Sequence, residues 1–397
     1  VSRPAEQRLT FVDRRGTGCC KWDGQQAAFG VEGLLGMWVA DMDIRSPDCV
    51  TDALRAYAER GVFGYDCPRQ GFYESFLAWQ RTRHGWDIPR EWLRGTAGMA
   101  PAMNALIRLL TAPGDAVAVL TPVYRPFLDA VTRNGRTLAA SPLLCRDGVC
   151  TIDFAGLERR MAESRARLLL LCSPHNPVGR VWRREELTRL LALCRERGAW
   201  IVCDEIHQDF TAPGHPHIPL GTLAGPEDRI AVLTSAGKTF NLAAFQNAVA
   251  ILPDGELRAR FDDHMAALGL EEGNPMGFLA GEAAYRGGGP WLDAVRRTVG
   301  ENARRFCGPL KEALPGLIFS PLEGTYLLWA DFGACLKPGE TEAFFRDVCR
   351  LAVNPGPWFG GPPGCVRVNL AASPETVDLA AERILRGLTS NSKEALP

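Results

Sequence analysis

Between residues 114 and 238 the sequence alternates short, unbroken apolar runs with longer stretches of helical periodicity, and this restricts the chain to few architectures. Ala116-Val-Ala-Val-Leu120, Arg167-Leu-Leu-Leu-Leu-Cys172, Trp200-Ile-Val-Cys-Asp204 and Ile230-Ala-Val-Leu-Thr234 have strand length, and Glu185 to Arg197 reads as a helix. A strand that is apolar at every position has both faces covered. These runs therefore predict a mostly parallel sheet with helices on either side, an α/β fold. In such sheets ligands bind beyond the carboxyl ends of the strands. Tyr124, Asn176, Asp204, Ser235 and Lys238 all fall there.

Lys238 is the most telling of the five. It follows a buried strand through Ser235-Ala-Gly237, and an ammonium in such a place is costly and has a depressed pKa. A lysine that forms a Schiff base has a reason to sit there. Upstream, Thr96-Ala-Gly98-Met99-Ala100-Pro101 precedes the apolar stripe Ala102, Met103, Ala105, Leu106, Leu109 and Leu110. Glycine before a helix N-terminus, with exposed N–H groups and the positive end of the dipole, makes a phosphate seat. Taken singly, Asn176 between two prolines holds a turn, Asp204 is a cap or salt-bridge partner and Tyr124 packs. Together they supply an amine, a carboxylate for a pyridinium nitrogen, donors for a ring oxygen, an aromatic face and a phosphate seat. Pyridoxal phosphate needs that set.

Composition narrows the alternatives. Lys+Arg 45 against Asp+Glu 46 leaves a net charge of -1, without the basic field that non-specific nucleic-acid binding requires. No apolar run reaches the ~18 residues of a spanning helix, and Val1 to Arg8 carries no apolar signal region, so the expectation is a cytoplasmic protein with no membrane partner. Thirteen cysteines without a Cys-x-x-Cys pair predict mostly reduced, buried thiols rather than a disulfide framework. The adjacent Cys19-Cys20 pair has no histidine or second pair to complete a metal site, and no Gly-x-Gly-x-x-Gly follows a first strand.

In order along the chain, several pieces resemble one family: Asp13-Arg-Arg-Gly-Thr, Lys21-Trp22-Asp23, Trp38-Val-Ala-Asp-Met-Asp43, Phe63-Gly-Tyr65, Ser173-Pro-His-Asn-Pro-Val-Gly-Arg180, Asp204-Glu-Ile-His207, Gly324-Thr-Tyr-Leu327 and Arg367-Val-Asn369. The sequence is similar to the fold type I pyridoxal-phosphate enzymes, and within them to the cystathionine β-lyase (MalY/PatB, C–S lyase) branch of class II aminotransferase-like proteins. The resemblance implies a large cofactor-binding domain over residues 45–290, a small α+β domain over 291–397, and an arm, 1–44, that joins the small one. It further implies that Lys238 holds the cofactor covalently and acts as the base at Cα. Asp204 would pair with the ring nitrogen, Asn176 and His207 would lie near the ring oxygen, and Tyr124 would stack on the ring. Ser235 and the backbone of Met99 and Ala100 would take the phosphate, helped by Tyr65 from the other subunit of a homodimer with shared active sites. Arg367 would clamp the carboxylate of an amino-acid substrate, with Trp358 on a nearby loop.

The implied reaction is β-elimination from a cysteine-derived thioether to thiol, pyruvate and ammonia. The alternatives are transamination, decarboxylation or oxidative deamination on the same cofactor, or a regulatory binding protein on the same fold. Four departures bear on that choice. Gly237 stands where similar proteins carry a second serine, Gln246 where aminotransferases carry a phosphate-binding arginine, and Leu242-Ala-Ala-Phe245 adds bulk. The Trp358-Phe-Gly-Gly-Pro-Pro-Gly364 loop is restricted by its two prolines.

Overall fold

The computed structural model describes residues 8–66, 70–270, 273–337 and 339–394, with side chains through residue 389. The first seven residues of the arm, Cys67-Pro68 of the loop after Tyr65, and the last three residues of the tail lie outside the described residues.

The arm carries α1 (Cys20–Asp23), α2 (Gln25–Phe29) and β1 (Leu35–Gly36). After α3 (Asp48–Glu59) and α4 (Gln70–His84) come β2 (Leu93–Thr96) and α5 (Met99–Leu110). The predicted alternation follows: β3 (Ala116–Thr121), α6 (Arg125–Arg133), β4 (Thr137–Pro142), the hairpin β5 (Leu144–Arg146) and β6 (Val149–Thr151), α7 (Phe154–Ser164), β7 (Leu168–Cys172), α8 (Arg184–Glu196), β8 (Trp200–Asp204), β9 (Ile230–Thr234), the single turn α9 (Ala236–Thr239) and β10 (Ala248–Ile251). Seven strands form one sheet in the order β2-β10-β9-β8-β7-β3-β4. Only β10 runs antiparallel to its neighbours.

Both faces of this sheet are buried, as unbroken apolar strands require. Leu169, Leu171, Ile201, Cys203 and Val232 point into one core with residues of α4, α7 and α8. Their neighbours Val119, Leu170, Val202 and Leu233 point into another with residues of α5, α6 and α10 (Gly255–Ala267). Alternation along each strand therefore sorts side chains between two apolar layers rather than between core and water.

A third core sits over a four-stranded antiparallel sheet. Before it run α11 (Pro275–Gly287) and α12 (Gly289–Ala313). The sheet comprises β11 (Ile318–Phe319), β12 (Leu327–Asp331), β14 (Asn354–Pro355) and β15 (Cys365–Asn369) in the order β11-β12-β15-β14. The arm docks here, because β1 pairs in parallel with β13 (Leu351–Ala352). Its ion network explains three of the sequence motifs. Lys21, fully buried, donates to Asp43 at 3.0 Å, Trp22 donates to Asp43 at 3.1 Å, and Arg14 pairs with Asp41 at 2.8 Å. Breaking one partner of such a buried set costs ~3–5 kcal/mol.

From sequence alone Ser46 reads as the N-cap of a helix opened by Pro47, Arg286-Gly-Gly-Gly-Pro290 as a loop, Thr341 to Val353 as one helix, and the polar tail from Thr389 as frayed; the structure corrects these four expectations. Ser46 does not cap α3; Pro47 occupies that position, and the Ser46 hydroxyl turns toward Asn241 O instead. Arg286-Gly-Gly-Gly-Pro290 is not a loop but the junction of α11 and α12, with Gly288 alone between them. The helix expected from Thr341 to Val353 ends at Val348, after α13 (Thr341–Ala343) and one π turn; Arg350 turns at positive φ so that Leu351 can pair with the arm. The described part of the tail, through Glu394, continues α14 (Pro374–Glu394), which Ser373 does cap. Most free cysteines are buried or half-buried, and Cys145 and Cys150 are joined across the β5–β6 hairpin. No helix among the described residues is long and apolar enough to cross a membrane.

Candidate active site

A cavity of about 500 Å³ opens at the carboxyl ends of the parallel strands, where the strand pattern placed it. Its lining includes Lys238, Asp204, His207, Asn176, Tyr124 and Ser235, together with Met99 and Ala100 at the start of α5. The loops that bring them together are zipped by backbone bonds: Tyr124 N donates to Asn176 O at 3.0 Å, and Ser173 N to Asp204 O at 2.9 Å.

Lys238 rides on α9, whose N-cap is Ser235. The Ser235 hydroxyl accepts from Gly237 N at 2.9 Å and donates to Asn247 O. This geometry gives a physical reason for glycine at 237, since a Cβ there would stand 3.0 Å from the Ser235 oxygen. Burial first, and then the charge of Arg367, lower the Lys238 pKa to about 8 against the opposing pull of Asp41 and Asp204. Its Nζ donates to Ala40 O at 2.6 Å.

Asp204, at the end of β8, accepts from Ile206 N at 3.0 Å, and burial raises its carboxyl to about 7. A carboxylate held this way has room for a cationic partner. His207 lies well below its ordinary range, because burial and then the charges of Lys238 and Arg367 disfavour its cation; its Nδ1 has no protein partner. Burial raises the Tyr124 hydroxyl. At the far end of the cavity Gly98 adopts φ 117° as the N-cap of α5, a conformation that favours glycine, and no side chain caps the helix. Gly98, Met99 and Ala100 line the cavity at this helix start.

Arg367 stands one bond behind the cavity wall. Almost wholly buried on β15, it donates to Asn176 Oδ1 at 3.0 Å, Asn354 Oδ1 at 2.8 Å and Trp38 O at 2.8 Å, with its guanidinium 4.8 Å over the Phe359 ring. Burial lowers its pKa to about 10, and its Nε has no partner. Two expected site residues are not brought to the cavity within this chain. Trp358 packs edge-on against Phe359 and is 37% exposed, and Tyr65 projects fully into solvent on the loop after α3.

Sequence reasoning missed Ala40 and Asn354, which accept from the lysine and the arginine, and Tyr326, Asn241 and Asn369, which donate to arm carbonyls from Val39 to Ile44. Ala40, Tyr326 and Asn369 lay inside quoted motifs, but no local pattern distinguishes a carbonyl aimed at a lysine from any other carbonyl.

Residues 82–384 match the profile of aminotransferases class I and II. The chain belongs to that family. Within it, the chain is 38% identical over 380 residues to cystathionine beta-lyase PatB of Bacillus subtilis (strain 168), covering 95% of this chain and 98% of that one. It is 32% identical over 365 residues to protein MalY of Escherichia coli (strain K12), covering 90% and 92%. The solved structure of cystalysin from Treponema denticola, which contains a pyridoxal 5'-phosphate cofactor, superposes with a TM-score of 0.92 at 32% identity over 96% of this chain and 98% of that one. The family fold is thus the one read from the strands: a large, mostly parallel sheet covered by helices beside a smaller antiparallel one.

Proposed function

We propose that this chain is a pyridoxal-phosphate-dependent carbon–sulfur β-lyase that converts a cysteine-derived thioether, cystathionine or an S-conjugated cysteine, to thiol, pyruvate and ammonia. One observation carries the reading: a buried lysine poised near neutrality shares a cavity with a buried carboxylate that lacks a cationic hydrogen-bond partner. The relatives named cystathionine beta-lyase and cystalysin support it.

The residues present fit the cofactor. Asp204 would meet a protonated ring nitrogen, Asn176 and His207 would offer polar atoms to the ring oxygen, Tyr124 an aromatic face, and Ser235 with the uncapped turn at Met99 and Ala100 would receive the phosphate. Pyridoxal phosphate, when bound, supplies the electron sink that makes a Cα–H bond acidic. Lys238 takes that proton on Nζ. Arg367 holds the substrate carboxylate and so fixes which Cα bond faces the lysine. As the proton leaves, the Cβ–S bond breaks and its electron pair departs with sulfur as thiolate; the carbon skeleton leaves as an enamine that takes up water to give pyruvate and ammonia. Asp204 would hold a proton on the ring nitrogen.

The purified protein, given cystathionine, cysteine and S-conjugates of cysteine, is expected to release pyruvate and thiol in equal amounts while its visible cofactor absorbance persists. A substrate-induced spectral change without pyruvate replaces the lyase reading with transamination.

Because the free amine is the nucleophile, cofactor capture has a defined pH dependence. Below about 8 Lys238 carries its proton and is unreactive; above it the amine is free. The rate at which the cofactor-stripped chain captures pyridoxal phosphate is therefore expected to rise with pH through about 8. A midpoint near 10 in a stopped-flow series contradicts the burial argument.

A homodimer with shared sites belongs to the same proposal. Val62, Phe63 and Tyr65 form an exposed apolar tip, and a second copy is the partner that gives Tyr65 a phosphate to reach. Tyr65→Phe is expected to weaken cofactor retention by ~10–100-fold, the range of one hydrogen bond to a charged group, without altering the dimer mass in sedimentation. Unchanged retention removes Tyr65 from the site. The two separate sheets and the helix junction at Gly288 support the proposed boundary near residue 290, and the pairing of β1 with β13 supports an arm that joins the small domain.

A further inference from the structure

We propose that Tyr326 is a positioning residue that biases Lys238 toward its reactive amine form through a carbonyl the two side chains share. The Lys238 nitrogen donates to Ala40 O at 2.6 Å, and the Tyr326 hydroxyl donates to the same oxygen at 2.9 Å. A carbonyl oxygen has two lone pairs, and these two donors use both. With one taken by tyrosine, the oxygen holds a neighbouring ammonium less strongly. Tyr326 thus opposes protonation of Lys238, and Ala40 O becomes the seat of the ε-amino group whenever it is not bonded to the cofactor.

For this coupling to work the carbonyl must stay in place, and the arm segment is clamped around it. Arg367 donates to Trp38 O at 2.8 Å, and Asn369 donates to Val39 O and Asp41 O, each at 2.6 Å. On the lysine side, Asn241 takes Met42 N at 3.0 Å and donates to Met42 O at 2.9 Å and Ile44 O at 3.0 Å. Tyr326 is equally confined. It is fully buried, and its ring stands edge-on to His207 at 5.8 Å and to Phe210 at 4.9 Å, so its hydroxyl has a single pose.

The other groups facing Lys238 act at longer range. Arg367 on β15 repels the ammonium; Asp204 at the end of β8 and Asp41 on the arm attract it; His207 is neutral, and Tyr124 lines the same cavity. Among the described residues only Ala40 O hydrogen-bonds to Nζ. The shared carbonyl is therefore the place where one neutral side chain can tune the lysine without touching substrate.

The inference rests on Lys238 being the residue that bears the cofactor, and the experiment separates the two. Full-length protein is stripped of cofactor, and its capture of pyridoxal phosphate is followed by absorbance from about pH 6.5 to about 10. Tyr326→Phe keeps the ring and frees one lone pair for the ammonium, so the capture midpoint is expected to move up by about half a unit to one unit with the high-pH plateau unchanged. That shift lowers capture roughly 3- to 10-fold on the acid side. An unmoved midpoint overturns the proposal. Thermal unfolding of cofactor-free protein gives a second reading. Tyr326→Phe leaves Ala40 O with one donor in the wild-type background but with none in Lys238→Ala, so the paired change is expected to lower Tm by more than the sum of the single changes. Additive losses overturn the shared acceptor. Covalent capture that survives in Lys238→Ala defeats instead the assignment of the lysine.

Discussion

Replacing Lys238 with alanine is expected to abolish covalent cofactor attachment and to lower turnover by at least ~1,000-fold, because one nitrogen serves both as nucleophile and as the base at Cα. The variant should fold. Burial already disfavours the lysine's charge, and its one hydrogen bond from Nζ among the described residues goes to Ala40 O, which keeps the Tyr326 hydroxyl as donor. Reduction with borohydride followed by mass measurement reads attachment directly: wild type gains the mass of the reduced cofactor and the variant does not. A small primary amine added to the variant should restore part of the proton transfer, since the cavity of about 500 Å³ has room for one where the side chain was. Full activity in the variant, or a cofactor mass on some other lysine, would sink the mechanism.

The second large effect is expected at Arg367. Changing it to lysine should raise KM roughly 100-fold or more with a smaller fall in kcat, because the planar fork that matches a carboxylate is lost while a positive charge remains. Arg367→Ala should cost more and in two ways. Substrate loses its clamp, and Asn176, Asn354 and Trp38 lose the buried donor that ties β14, β15 and the arm together, at ~1–3 kcal/mol for each acceptor left unpaired. The two contributions separate by substrate. Wild type should strongly prefer an S-conjugated cysteine to its carboxyl ester, and Arg367→Lys should discriminate much less. If the variant keeps the wild-type preference at normal Tm, Arg367 does not hold the carboxylate and serves only to tie the arm down.

Lys238 was legible before the fold was known from its own stretch of chain, whereas Arg367 came only from the family resemblance. Lys238 ends an apolar run that is buried at every position, so its location at a strand's carboxyl end followed from periodicity over a few residues; Asp204, Asn176 and Tyr124 followed in the same way. Helix ends were less legible. Thr341 to Val348 winds into a π turn and then gives way to β13, because Leu351 gains a strand partner in the arm that no local pattern announces. Gly288 separates two helices that the glycine run suggested were joined by a loop.

Local sequence therefore determined the alternating strands and helices, the two apolar faces of the large sheet and the kinds of side chain at its carboxyl edge, since each depends on the spacing of neighbouring residues. The tertiary structure alone decided what those side chains meet. Ala40 and Lys238 lie 198 positions apart, and Arg367 and Asn176 lie 191 apart. The acidity of the lysine and the pose of the arginine are set by carbonyls, amides and desolvation brought in from such distances, and a buried charge responds to everything packed around it rather than to its own stretch of chain.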